Sequence, residues 1–151
     1  MRNSKNKSKY PHFIHACPDL PGYPTHTHGL TQVGLPEFLI DPLAFGPKGN
    51  VGVINRAYDF FVMPKNKPQL EALLSGQTIK LTGKDLRPES DGSDPLIYCF
   101  RKVPSTFEAV NRAYETKKYG LETPGMRFIQ IWVDGDDFAL TDEYYRGGVK
   151  F

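Results

Sequence analysis

Apolar residues along this chain come in short runs cut by proline and glycine, so the elements they predict are brief. Tyr10 to Cys17 reads Tyr-Pro-His-Phe-Ile-His-Ala-Cys, an aromatic and branched run that predicts a first strand, with Pro11 at its edge or beginning. Pro18 to Pro24 is turn chemistry, and Thr25 to Thr31 follows as a strand whose alternate residues share a face. The apolar run Phe38-Leu39-Ile40 marks a third strand within Pro36 to Asp41. Val51, Ile54, Tyr58, Phe61 and Val62 then recur at helical spacing, which predicts a helix from Asn50 as N-cap to about Met63, stopped by Pro64.

Pro68 to Leu74 predicts a further short helical turn, and Gln77 to Leu81 a strand closed by Thr82-Gly83. Lys84 to Pro95, with Pro88, Gly92 and Pro95, has no periodicity and reads as a mobile loop. Leu96 to Val103 is apolar enough for a central strand. Ser105 then caps a helix over Thr106 to Tyr119, with Phe107, Val110 and Tyr114 on its buried face and Gly120 ending it. In Met126 to Val133 both strand faces are largely apolar, which puts this strand in mid-sheet. The order predicts one α+β domain: a mixed, mostly antiparallel sheet packed against two principal helices.

The length of 151 residues suits one core, and 39% hydrophobic with 24% charged residues excludes both a disordered chain and a membrane protein. The net charge is +2, but Arg2, Lys5, Lys7 and Lys9 fall in a basic leader, residues 1–9, expected to be disordered. Without those cations the remainder is slightly acidic, so nucleic-acid binding through the leader ranks as a third hypothesis only. The leader lacks an apolar segment after it and does not read as a secretory signal. Two cysteines, Cys17 and Cys99, without a CxxC spacing, fit reduced thiols and a cytoplasmic protein.

Thr27 to Ile40, Thr-His-Gly-Leu-Thr-Gln-Val-Gly-Leu-Pro-Glu-Phe-Leu-Ile, resembles the opening signature of the domain of unknown function 4262 family. Gln130-Ile131-Trp132-Val133-Asp134, followed by Asp136 and Phe138, is similar to that family's later Gln-Leu-Val-Trp-Pro-Asp segment, and the resemblance spans roughly Tyr10 to Tyr145. Leu35 stands where the family usually has His, Val133 where it has Pro, and Ala139-Leu140 where it has Pro-Trp. The resemblance implies a fold and brings no reaction with it.

All four histidines, His12, His15, His26 and His28, lie within the first 28 residues. On strands, His26 and His28 share a face, as do His15 and Cys17, so strand pairing offers His15, His26 and His28 as ligands of zinc-like chemistry. A second reading makes His28 a general acid or base oriented by Glu37 or Asp134, since imidazole titrates near neutrality. The plainer alternative is that Glu37 caps a turn and Asp134 closes a strand. Cys17 is a candidate nucleophile, whereas Cys99, inside an apolar strand, reads as inert core. Gly46 to Gly52 is glycine-rich with Lys48 before the predicted helix, yet lacks the ending of a P-loop and reads as a turn. Tyr144, Tyr145 and Arg146 begin an aromatic, basic tail that packs back or docks on a partner.

Three functions are therefore expected from these residues. The first is binding of a small ligand or protein partner, with the 25–30 strand and the 134–138 loop at the rim and His26, His28, Trp132 and Asp134 as contacts. The second is a histidine-dependent hydrolase, metal-assisted or not, using His26 and His28 with Glu37 or Asp134. The third is the nucleic-acid reading given above. The enzyme requires the two histidines to converge on a carboxylate in a cleft, whereas binding requires only a concave apolar surface.

Overall fold

The computed structural model describes residues 10–15, 25–41, 43–103 and 127–135, with His15 described in its backbone only. The 1–9 leader, Cys17, the 106–119 helix, the 136–138 segment and the 144–151 tail lie outside these residues. Among the described residues six strands form one sheet: β1 (Phe13–His15), β2 (Thr25–His28), β3 (Glu37–Ile40), β4 (Ile79–Thr82), β5 (Ile97–Lys102) and β6 (Phe128–Val133). Their spatial order is β1-β2-β3-β6-β5-β4, and every adjacent pair is antiparallel except β3 with β6. Helices α1 (Gly46–Phe61), α2 (Lys67–Leu74) and the single turn α3 (Gly83–Leu86) fill the connection between β3 and β5. The chain thus forms an α+β domain of the expected kind, with β6 in mid-sheet. No helix among the described residues is long and apolar enough to cross a membrane.

Strand alternation builds the core. Ile40, Ile131, Phe100 and Ile79 lie in register across four strands, and Phe38 stands beside Ile129. Ile54, Ala57 and Phe61 of α1 and Leu73 of α2 cover this face, with the Phe61 ring edge-on to Phe100 at 5.3 Å. Burying a side chain of this size contributes about 1.5–3 kcal/mol, so these residues hold the helices down. The other sheet face carries the row His26, Leu39, Gln130, Arg101, with the His15 backbone extending it onto β1.

Two expectations are corrected. Helix α1 starts at Gly46, with Pro47 in its first turn, so the glycine-rich segment is helix and not a loop. Asn50 is 1% exposed and inside α1; its side chain accepts from Phe45 N at 3.1 Å and donates to Asp41 O at 3.1 Å, bracing the turn into the helix. The 84–95 segment is also more regular than expected. Thr82 and Asp85 close a capping box on α3, and Asp91 and Asp94 accept from the backbone two residues on.

Candidate functional site

Residues on β2 and β3 meet as the chain pattern implies. His26 and His28 project to one face with ring centroids 5.0 Å apart; His26 is edge-on to Phe128 and His28 stacks on Phe13 at 5.3 Å. Both are buried, at 1% and 5% exposure, and among the described residues their rings pack against each other and against aromatic neighbours.

Glu37, fully buried, is committed elsewhere. One carboxylate oxygen accepts from the Thr27 hydroxyl at 2.7 Å and from Leu30 N at 3.3 Å; the other accepts from Thr31 N at 2.7 Å and the Thr31 hydroxyl at 2.5 Å. The Thr27 hydroxyl in turn accepts from Phe38 N at 3.0 Å, standing in for a ladder bond between β2 and β3. Leu30 and Thr31 begin a 3₁₀ turn (Thr31–Val33), so the carboxylate satisfies amides that such a turn leaves without partners. Glu37 thus closes the 29–36 loop, in line with the plainer of the two sequence readings.

Asp134 lies past the far end of β6. Glu37 pairs in register with Phe128, and six residues along a strand amount to about 20 Å. Asp134 does not meet His28; its carboxylate takes Lys80 at 3.3 Å, and its amide donates to Ile97 O at 2.9 Å. Trp132 is roughly 12 Å from His26, two strands across and two residues along, and carries the Arg101 guanidinium over its ring. The expected contact set therefore divides between two places. Among the described residues no group of three or more His, Cys, Asp or Glu is placed to hold a metal ion.

A large concave surface among the described residues lies on the helical side of the sheet, away from the expected rim. It is a groove of about 750 Å³ between the start of β1, the 30s loop, the second half of α1, and α2. Its floor and walls are Tyr58, Phe61, Leu35 and Leu70, and Val33, Val62 and Met63 are partly open to solvent at its lip. One wall is hydrogen-bonded in place. Asn55, Tyr58 and Asp59 share a face of α1, and the chain entering β1 lies across them. The Tyr10 hydroxyl donates to Asp59 at 3.2 Å, its ring is edge-on to Tyr58 at 5.4 Å, and His12 Nε2 pairs with Asn55 Oδ1 at 2.8 Å. Lys67 stands at the rim, its ammonium only 3.9 Å from Glu71 in an exposed helical pair.

Such a groove suits an apolar body, with the Tyr10 and Tyr58 hydroxyls and the Lys67 ammonium as polar groups among its described lining residues. Sequence reasoning missed Tyr10, Asn55 and Asp59. The available signal was the Asn55, Tyr58, Asp59, Val62 stripe, which lies at helical spacing beside the core stripe.

No family model matches the chain, and no curated protein or solved structure matches it.

Proposed function

We propose that this protein is a binding domain whose principal ligand is a small, largely apolar molecule held in the groove between α1, α2 and the start of β1. The observation that carries the reading is the groove itself: about 750 Å³ of concave, mainly apolar and aromatic surface, braced by the Tyr10, His12 and Asn55 contacts. That volume is in the usual range for small-molecule sites, and a wall held before binding lowers the ordering cost. Membership of the domain of unknown function 4262 family is part of the same proposal. At the position where that family usually carries His, Leu35 lines the groove, which favours binding over proton transfer there. A cytoplasmic setting goes with the reading, supported by the free, buried thiol of Cys99.

Titration with N-phenyl-1-naphthylamine, an uncharged fluorophore, tests it. One saturable site is expected, and Val62→Asp, at a position already 44% exposed, is expected to weaken binding about tenfold through loss of one apolar contact. Absence of saturation, or equal binding by Val62→Asp, would overturn the reading.

A further inference from the structure

A second cavity, of about 340 Å³, opens on another face of α1 and shares no lining residue with the groove. Gly49, Gly52, Val53 and Arg56 form its α1 wall, at the three- and four-residue spacing of a single helix face. Glycine within a helix is destabilising against alanine, so each asks for a reason. At Gly49 a Cβ would stand 2.6 Å from the Phe45 side chain, which is a packing reason. At Gly52 a Cβ would meet nothing within 4 Å. What its bareness preserves is the open space of the cavity.

The opposite wall is fixed and polar. A Cβ on Gly83 would lie 2.5 Å from Asp94, so Asp94 seats directly against that backbone. Its carboxylate accepts from Leu96 N at 2.9 Å and from the Tyr98 hydroxyl at 2.8 Å. Val53, Leu86 and the Tyr98 ring supply apolar surface between the walls, and Arg56 and Arg87 stand at the mouth.

Arg56 already has a carboxylate partner. Glu89, 60% exposed, reaches Arg56 at 3.0 Å. Its carboxyl is held below the ordinary range by its own backbone amide first, and then by the charges of Arg56, Arg87 and Lys84. Three cations thus act on one loop carboxylate that solvent can reach. An exposed ion pair is weak in water, so an incoming anion displaces Glu89 at little cost.

We propose that this cavity binds a small organic anion, its ring-sized apolar body against Val53, Leu86 and Tyr98 and its carboxylate or phosphate on Arg56 and Arg87, with Glu89 paired to Arg56 in its absence. The volume, at the lower end for ligand sites, matches a single ring better than an extended molecule. The fork geometry of guanidinium matches either head group.

The test is titration of the ¹⁵N-labelled full chain with benzoate, phenyl phosphate, benzyl alcohol and inorganic phosphate, followed at the Gly52 and Gly83 amides and the Arg56 Nε–H. Benzoate or phenyl phosphate is expected to shift all three signals saturably, and the tighter of the two names the head group. Benzyl alcohol, which lacks the charge, and inorganic phosphate, which lacks the ring, are each expected to bind about tenfold more weakly or worse. Glu89→Gln is expected to tighten binding about two- to fivefold by freeing Arg56. Gly52→Leu, which fills the cavity, and Arg56→Gln, a surface change that leaves the fold intact, are each expected to weaken it about tenfold. The proposal is overturned if neither aromatic anion saturates in the millimolar range, if inorganic phosphate binds as well as they do, or if Arg56→Gln binds like the wild type.

Discussion

Replacing Glu37 by Gln keeps shape and volume and changes only which atoms accept hydrogen bonds, which makes it a sharp probe of the loop that carries Leu35 into the groove. Four donors point at the carboxylate, two from backbone amides and two from threonine hydroxyls. The amide that replaces one oxygen is itself a donor. Placed toward Thr31, it opposes an amide at 2.7 Å that has no rotational freedom. Placed toward Thr27, it opposes Leu30 N, and Thr27 cannot adapt freely because its hydroxyl already accepts from Phe38 N. The second placement sacrifices the longer bond and is the better one. Loss of one bond to a charged group with a strained hydroxyl gives about 2–3 kcal/mol, and Glu37→Ala, which leaves two amides without an acceptor, about 4 kcal/mol. Urea unfolding followed by far-ultraviolet circular dichroism measures this, with unchanged m values showing that only the native state lost stability. A cost below about 0.5 kcal/mol for Glu37→Gln would refute the account, since such values belong to surface changes.

Three other outcomes are expected. Burial first, and then the hydrogen bond and charge of Asp94, push the Tyr98 hydroxyl up to about 12. The unfolded chain therefore loses this proton before the native one does. Stability is intact below about pH 10 and falls as pH rises toward 12, by up to about 2–3 kcal/mol. Tyr98→Phe should flatten that decline in urea midpoints taken at about pH 9 and pH 11, and equal declines would contradict the assignment. Gly29 has φ +112°, and a Cβ there would lie 2.6 Å from Pro11 O, so Gly29→Ala should cost about 3 kcal/mol and loosen the Tyr10 wall of the groove. Melting together with naphthylamine binding reads both effects, and an unchanged melt would remove the argument. Cys99 is fully buried, and burial, then the charge of Asp134, push its thiol up. In a Cys17→Ser background it should react with a disulfide reagent only as fast as the protein unfolds, and full reaction in native buffer within minutes would count against that.

Local chemistry was legible from residue order alone. The β6 run alternates Phe128, Gln130, Trp132 with Ile129, Ile131, Val133, and a strand apolar on both faces has no stable place except mid-sheet. The α1 stripe of Ile54, Tyr58 and Phe61 announced a helix, although its N-cap was placed at Asn50, five residues after the observed Phe45, because Gly46 and Gly49 look like loop residues when Phe45 is not known to pack against one of them. The pairing of His26 with His28 followed from the period of two, which is a property of any strand. Their aromatic contacts did not, since these come from Phe13 and Phe128, one on a strand paired beside them and the other about a hundred residues away. Nor did the fate of Glu37 and Asp134. Both carboxylates sit beside strands near apolar runs, and only the parallel registration of β3 with β6 puts them about 20 Å apart. The two cavities were the least visible of all. A concave surface is made where elements fail to touch, and that failure is set by how Tyr10 crosses α1 and how Asp94 seats on Gly83. Sequence by itself determined the periods, the turns and the kinds of side chain that each element presents, because these are properties of neighbouring residues. Tertiary structure alone decided which of those side chains meet, because contact between distant residues follows from sheet order and helix placement, which no local spacing encodes.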